Sequence, residues 1–173
     1  MKWAAIIAGG LAGLVALMAV IGALLPRNHV DTQSATFRSP AMALWQAITD
    51  VGKFPQWRKD VKEVIPSPGG DPRAGWTEVW THGERVPIEV KEWNPPARLV
   101  TRIAEKDLAF GGTWSYELKP TGTGTELRIT ENGEVNNPLF RFLSKFVFGH
   151  TATMRNYLHA LGESLGEHVE VKD

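Results

Sequence analysis

The sequence predicts an α+β protein in which a curved antiparallel sheet of about seven strands surrounds a long C-terminal helix, behind one N-terminal transmembrane helix. Three observations lead to this prediction. Residues 3–25 form a long uncharged stretch, residues 75–135 alternate strand-length segments with turn signals, and residues 138–167 repeat apolar side chains at helical spacing. The sheet and the C-terminal helix each have one apolar face, and the two faces are expected to bury each other.

The N-terminal stretch, WAAIIAGGLAGLVALMAVIGALL, carries no charged side chain over residues 3–25. At about 1.5 Å per residue it is long enough to cross the roughly 30 Å apolar core of a bilayer. Signal peptides usually have an apolar region of only about 7–15 residues, and Ile21-Gly22-Ala23 is a poor cleavage site. The sequence therefore favours an uncleaved anchor over residues 1–26, with a cleaved signal peptide as the alternative.

The charges around this anchor orient it only weakly, because Lys2 precedes it while Arg27 and His29 follow it. A short head before a large C-terminal domain favours a single-pass membrane protein with its domain on the extracytoplasmic side. We expect residues 27–36 to form a polar tether and the start of the first strand. Residues 32–167 are expected to form one ligand-binding domain, and residues 168–173 a tail.

Composition excludes several classes of function. The formal net charge is zero, so there is no basic footprint for nucleic acid, and the absence of cysteine excludes a disulfide framework or a thiol nucleophile. The five histidines lack the spacing of metal ligands, so no metal site is expected. Neither a phosphate-binding loop nor a Gly-x-Ser-x-Gly motif occurs, and no cofactor is expected.

The first half of the domain reads as a strand over residues 31–38 followed by two short helices. In SPAMALWQAITD, Ser39 is expected to cap a helix and Pro40 to occupy its first position. The second short helix is expected over residues 54–59, and the strand VKEVIPS follows it. The connecting segment carries two large aromatic side chains, Phe54 and Trp57, which predicts that it covers an apolar surface.

The second half reads as strands and then a helix. GWTEVWTH, RVPIEVKEW, ARLVTRIAE, GTWSYELK and TELRITENGEV are strand-length segments, and their short links require antiparallel neighbours. A helix is expected over residues 138–167, with Asn137 as its cap and Gly149 as a possible bend. A curved sheet around a single helix tends to leave a cavity between them.

These segments resemble, in type and order, the START-related, polyketide cyclase-like superfamily known as SRPBCC. The resemblance runs from SPAMALWQAITDVGKFPQWRKDVKEV through GWTEVW, VKEWNPPARL and GTWSYEL to GTELRITENGEV, and covers residues 32–166. It implies a helix-grip fold with a hydrophobic ligand cavity. Members bind lipids, polyketides or hormones and some are cyclases or dehydratases, so the resemblance does not assign a chemistry.

The period of two along the strands predicts which side chains face the helix. With the lid and the final helix, the candidate ligand-binding residues are Trp57, Trp76, Trp80, Ile88, Val90, Thr101, Trp114, Tyr116, Ile129, Phe146 and Met154. The alternative is that these large side chains fill a core, that Trp57 only covers the sheet edge, and that the face carrying Glu78 meets solvent.

Catalysis requires an acid or base within reach of a substrate. The weak candidates are His82, Glu131 and His150, with Glu78 and Tyr116 also considered. The simpler interpretation of His150 is a helix histidine bonded to a backbone carbonyl.

The sequence thus favours a membrane-anchored domain that binds a hydrophobic small molecule or lipid, with the membrane as its other partner. One alternative is a cyclase or dehydratase acting on a polyketide-like substrate, and another is a non-catalytic interaction module of a membrane complex. We also expect Arg141, Lys145 and Phe148 to face the membrane beside the cavity mouth. The alternative is that Gly149 turns Phe148 into the core.

Overall fold

The computed structural model describes residues 2–105, 108–149 and 151–173, without the side chains of residues 4, 5 and 148. The helices are α1 (Lys2–Leu24), α2 (Ala41–Thr49), α3 (Phe54–Trp57), α4 (Pro138–Leu143) and α5 (Ala152–Ser164). The strands are β1 (Asn28–Phe37), β2 (Val61–Pro66), β3 (Trp76–Trp80), β4 (Arg85–Asn94), β5 (Arg98–Ile103), β6 (Phe110–Thr121), β7 (Gly124–Val135) and β8 (Val171–Lys172).

The strands form one antiparallel sheet in the order β2-β3-β4-β5-β6-β7-β1-β8. Strands β2 to β7 are neighbours in chain order, as their short connections require. Strand β1 then pairs with β7 over its whole length, from Asn28 opposite Glu134 to Phe37 opposite Thr125. This arrangement confirms the predicted α+β architecture, with a short eighth strand added at the edge.

The strand expected within residues 27–36 is present but begins earlier than predicted, at Asn28, which leaves almost none of this segment as a tether. Ladder hydrogen bonds with β7 satisfy the backbone there, and Val135 N–H donates to Arg27 O at 2.9 Å just before the strand. Only residues 25–27 separate the N-terminal helix from the domain. The expected tail is also partly structured, since it contains β8.

The corner between β1 and α2 differs from the prediction at its cap. Helix α2 begins at Ala41, and its N-cap Pro40 makes no side-chain cap bond. The Ser39 hydroxyl donates instead to Glu167 at 2.5 Å, and the backbone N–H groups of Arg38 and Ser39 donate to the same carboxylate at 2.6 and 3.0 Å. Glu167 therefore ties this corner to the C-terminal end of the domain.

The predicted continuous C-terminal helix is also wrong. The expected cap is present, because the Asn137 side chain accepts from Phe140 N–H at 3.1 Å. However, α4 passes into a π-helical turn, Ser144–Phe148, and the helical path ends at Gly149, whose φ of 74° suits glycine. The gripping helix is therefore α5 alone, and it ends at Ser164.

The main core lies where α5 and α2 cover the sheet. The side chains that are fully buried there include Met154, Leu158 and Leu161 of α5, Leu44 and Ile48 of α2, and Leu99, Leu127 and Ile129 of the sheet. Burying each such side chain contributes about 1.5–3 kcal/mol. Because α5 covers only one end of these strands, the other end is left for a cavity.

Candidate ligand cavity

A cavity of about 410 Å³ lies between the uncovered part of the sheet and the segment that joins α4 to α5. Strands β3 to β7 form its walls, and Phe140, Ser144, Gly149 and Thr153 line it from the helical side. Its volume falls within the range of roughly 300–1,000 Å³ that is usual for small-molecule sites.

The break at Gly149 explains why the cavity lies at this end. Along β5 the inward face passes from Leu99, which is 1% exposed in the core, to Thr101 and Ile103, which line the cavity. Along β6 the same change occurs between Leu118 and Trp114. Helix α5 begins only at Ala152, so the inward faces beyond it have no packed helix above them.

An ion pair between Arg58 and Glu78 forms part of the cavity wall. The Glu78 carboxylate accepts from Arg58 Nη1 at 2.7 Å and from the indole N–H groups of Trp76 at 3.3 Å and Trp80 at 3.1 Å. Its side chain is only 6% exposed, so the face that carries Glu78 points inward. Three donors hold this carboxylate in place.

The Arg58 guanidinium is equally enclosed. Its Nη2 donates to Asp60 at 2.7 Å, and its central carbon lies 5.2 Å and 5.6 Å from the ring centroids of Phe54 and Tyr157. Burial opposes the charge of Arg58, but Glu78 and Asp60 outweigh it and raise the pKa of the guanidinium. Arg58 therefore stays charged inside an otherwise aromatic wall.

Two tyrosines add hydroxyl groups next to this pair. Tyr116 lines the cavity, and its ring centroid lies 5.8 Å from that of Tyr157. Burial is the main reason why the pKa of each tyrosine is raised above its ordinary value. Both hydroxyls keep their protons at neutral pH, and the Tyr116 hydroxyl is hydrogen-bonded to Tyr157 and to the buried Thr101.

The structure places six of the eleven predicted ligand-binding residues on the cavity wall, namely Trp76, Trp80, Ile88, Thr101, Trp114 and Tyr116. Their contact with a ligand stays a prediction. The alternation of side chains along the strands predicted which face of the sheet points inward, because successive side chains of a strand point to opposite faces.

The other five predicted residues lie elsewhere. Ile129 and Met154 are fully buried in the core, and Val90 packs against it. Trp57 contacts Phe54 and Tyr157 edge-on, with centroid distances of 5.4 and 5.2 Å, and so supports the wall from behind. Phe146 is 58% exposed and contacts Phe142.

Of the acid–base candidates, His82 lines the cavity with a side chain that is 62% exposed, 3.3 Å from Glu84. Glu131 also lines it, 3.8 Å from His29. His150 lies outside the described residues. In the part of the chain that the structure describes, no group of three or more His, Asp or Glu side chains is placed to hold a metal ion.

Sequence reasoning missed Arg58 and gave the wrong position for Arg141. The signal for Arg58 was its place directly after Trp57, at the end of the aromatic segment that was expected to cover an apolar surface. Arg141 is not the exposed side chain that was expected, because it is 6% exposed and donates to Leu25 O at 2.9 Å. Lys145 is exposed, and the side chain of Phe148 lies outside the described part of the chain.

Comparison with solved structures finds the same fold at low sequence identity. A START superfamily protein from Mycobacterium smegmatis matches with a TM-score of 0.61 and 16% identity, over 82% of this chain and 98% of that one. Norcoclaurine synthase from Thalictrum flavum matches with a TM-score of 0.62 and 12% identity, over 82% of this chain and 88% of the synthase. No curated protein sequence matched the chain.

A third structure, a protein from Mesorhizobium loti, matches with a TM-score of 0.58 and 19% identity, over 81% of this chain and 97% of that one. At the level of sequence, the family described as polyketide cyclase / dehydrase and lipid transport matches residues 29–166. That span runs from the start of β1 to just past the end of α5. The chain therefore belongs to this family, within the START-related SRPBCC superfamily.

Proposed function

We propose that this chain is a membrane-anchored protein that binds a hydrophobic small molecule or a single-chain lipid. The cavity of about 410 Å³ is the observation that carries the proposal. Its apolar side chains, such as Ile88, Ile103 and Trp114, offer area for affinity, while a few polar groups offer orientation. A cavity of this size argues against a vestigial cavity in a pure interaction module.

The polar groups favour a ligand with one hydrogen-bond acceptor at its end. Arg58 uses three of its five N–H donors on Glu78 and Asp60 within the described part of the chain. The Tyr116 hydroxyl keeps its proton and lines the same cavity. Because Glu78 and Asp60 already balance the charge of Arg58, a neutral acceptor such as a carbonyl, ether or hydroxyl oxygen suits this end.

Anchoring in a membrane is supported by the exposure of α1. Ile7, Leu11 and Leu17 are more than half exposed, and the helix is long and apolar enough to cross a bilayer. Exposing so much apolar surface to water is unfavourable, whereas lipid covers it. Placement of the domain on the extracytoplasmic side is part of the proposal.

The experiment is native mass spectrometry of the full chain, tagged at its carboxy terminus and purified from carbonate-washed membranes. We expect the protein to stay in the membrane and to carry a co-purified apolar molecule. Ile103→Trp fills the cavity and should lose this adduct, whereas Arg102→Trp adds the same side chain to the exposed neighbour and should keep it. Cavity binding is contradicted if the wild-type protein carries no adduct, or if the two variants carry equal amounts of it. Release of the protein from the membrane by carbonate contradicts only the proposed anchoring.

A second candidate function is a cyclase- or dehydratase-type enzyme. It is favoured by one observation, the buried Glu78 carboxylate in the cavity wall beside Arg58. Norcoclaurine synthase, one of the structural neighbours, is an enzyme by its name. Against this candidate, Glu78 already accepts three hydrogen bonds. Incubating the protein with its co-purified molecule separates the two functions, because an enzyme changes the ligand's mass or structure and a binding protein returns it intact.

A further inference from the structure

A second, smaller cavity of about 60 Å³ lies where the end of α1 meets β1 and α4. Arg27, His29, Arg141 and Lys145 line it together with Leu25 and Asn28, and no aspartate or glutamate is among the described residues that line it. Three of these side chains, Arg27, Arg141 and Lys145, are cations, and they make the cavity electropositive.

Arg141 places a buried positive charge in the wall of this cavity. The side chain is buried, and its Nη1 and Nη2 donate to the backbone oxygens of Leu25 at 2.9 Å and Asn136 at 3.4 Å. Its Nε is buried and has no hydrogen-bond partner among the residues that the structure describes. Arg58 is buried to a similar degree but has two carboxylate partners, whereas the described residues give Arg141 none. A buried cation without an anion is unfavourable, and a bound anion relieves it.

We propose that this cavity binds a phosphate group. The planar guanidinium of Arg141 suits phosphate oxygens, and the exposed side chains of Arg27 and Lys145 add positive charge at the rim. The volume equals about four water molecules at roughly 15 Å³ each, which is room for a group of this size. His29 is not needed as a donor, since it already lies 3.8 Å from Glu131.

The position of the cavity indicates where the phosphate comes from. It begins at Leu25, directly after the apolar helix α1 ends at Leu24. If α1 crosses the bilayer, this is the level of the lipid headgroups, where basic side chains meet phosphate. The lipid source rests on the proposed anchoring, while phosphate binding itself depends neither on the anchor nor on the ligand of the larger cavity.

The test is isothermal titration calorimetry of the full chain in a maltoside detergent and a phosphate-free buffer. Three probes are titrated: inorganic phosphate, dihexanoyl phosphatidic acid, and dihexanoyl glycerol, which has the same chains without phosphate. We expect saturable binding of the phosphatidic acid that persists in Ile103→Trp. Binding of the glycerol, an apolar molecule suited to the larger cavity, should be absent from that variant. Inorganic phosphate that binds at least tenfold more weakly indicates a lipid headgroup, and equal affinity indicates free phosphate.

Matched variants locate the site. Arg27→Gln with Lys145→Gln should weaken binding of the phosphate probes at least tenfold, whereas the exposed pair Arg102→Gln with Lys119→Gln should leave it unchanged. Arg141→Gln should abolish binding of the phosphate probes. If that variant does not fold, the double variant of Arg27 and Lys145 alone tests the site. Ile103→Trp should not affect these probes, which separates this site from the larger cavity. The proposal is overturned if neither phosphate probe saturates, or if the rim pair and the control pair behave alike.

Discussion

The ion pair between Arg58 and Glu78 is the residue-scale feature that most distinguishes the larger cavity from a filled core. Buried ion pairs seldom add stability over apolar residues of similar volume, because taking two charges out of water costs as much as their attraction returns. Here each charge also orients other groups, since Glu78 holds the indoles of Trp76 and Trp80 while Arg58 lies over two aromatic rings. The pair therefore sets the shape and polarity of one end of the cavity.

Glu167 shows the opposite case, a nearly buried carboxylate with a structural role. Burial opposes its ionisation, but the hydrogen bonds from Ser39 and Arg38 outweigh burial and lower the pKa of Glu167. A carboxyl whose pKa is lower in the folded state stabilises the fold above its unfolded-state pKa, about 4.5. That contribution is lost as the pH falls through the lower, folded-state value.

We predict that Glu167→Gln lowers the free energy of unfolding by about 2 kcal/mol at pH 7, because charge-assisted hydrogen bonds are lost. The difference from wild type should shrink as the pH falls below about 4.5, where Glu167 of the unfolded chain becomes protonated, and should vanish below the lower folded-state pKa. Chemical unfolding at several pH values measures this. Glu163→Gln, on the exposed side of α5, is the control and should have little effect. A deficit that stays constant down to pH 3 would contradict the role given to the carboxylate.

At the scale of elements, the contact between α1 and α4 joins the N-terminal helix to the edge of the cavity. A Cβ atom at Gly22 would lie 1.8 Å from Pro138 O, so only glycine allows this approach. Arg141, on the same short helix, donates to Leu25 O. Since Phe140 of α4 lines the larger cavity, α4 contacts both the N-terminal helix and the cavity.

We predict that Gly22→Val separates α4 from α1. Hydrogen exchange of residues 138–143, measured by mass spectrometry on the full chain in lipid nanodiscs, should become at least tenfold faster because the helix loses its packing partner. Gly13→Val is the matched control, since nothing lies within 4 Å of a Cβ at Gly13, and its exchange should match wild type. Equal exchange in Gly22→Val and wild type would show that the contact does not stabilise α4.

The elements that the sequence predicted well are those with strong local signals. Strands β3 to β7 alternate apolar and polar side chains between clear turn residues, so their ends fall close to those expected. The start of β1 was missed because its polar residues resemble a linker, and only the distant β7 reveals the pairing. The break in the C-terminal helix was missed because apolar spacing continues on both sides of Gly149, although its glycine did indicate a bend.

At the scale of the whole molecule, the fold could be predicted and the cavity only in part. The alternation of side chains along the strands identified the inward face of the sheet, and Trp76, Trp80 and Trp114 lie on the wall of the larger cavity. Whether an inward residue belongs to the core or to the cavity depends on how far α5 extends over it. Ile129 and Trp114 have similar signals in sequence, yet only Ile129 is covered by the packed core. Small cavities at element junctions, such as the one beside Arg141, have no local signal.

The central claim is that an apolar ligand occupies the larger cavity, and photolabelling of the full chain in nanodiscs tests it most directly. A neutral apolar probe carrying a diazirine is bound and irradiated, and the labelled peptides are mapped by mass spectrometry. We predict labels on Trp76–Trp80, Arg98–Ile103 and Phe110–Thr121, and that excess unlabelled probe removes them. Labels confined to α1 and to the exposed Phe146 and Val147, without competition, would contradict the account.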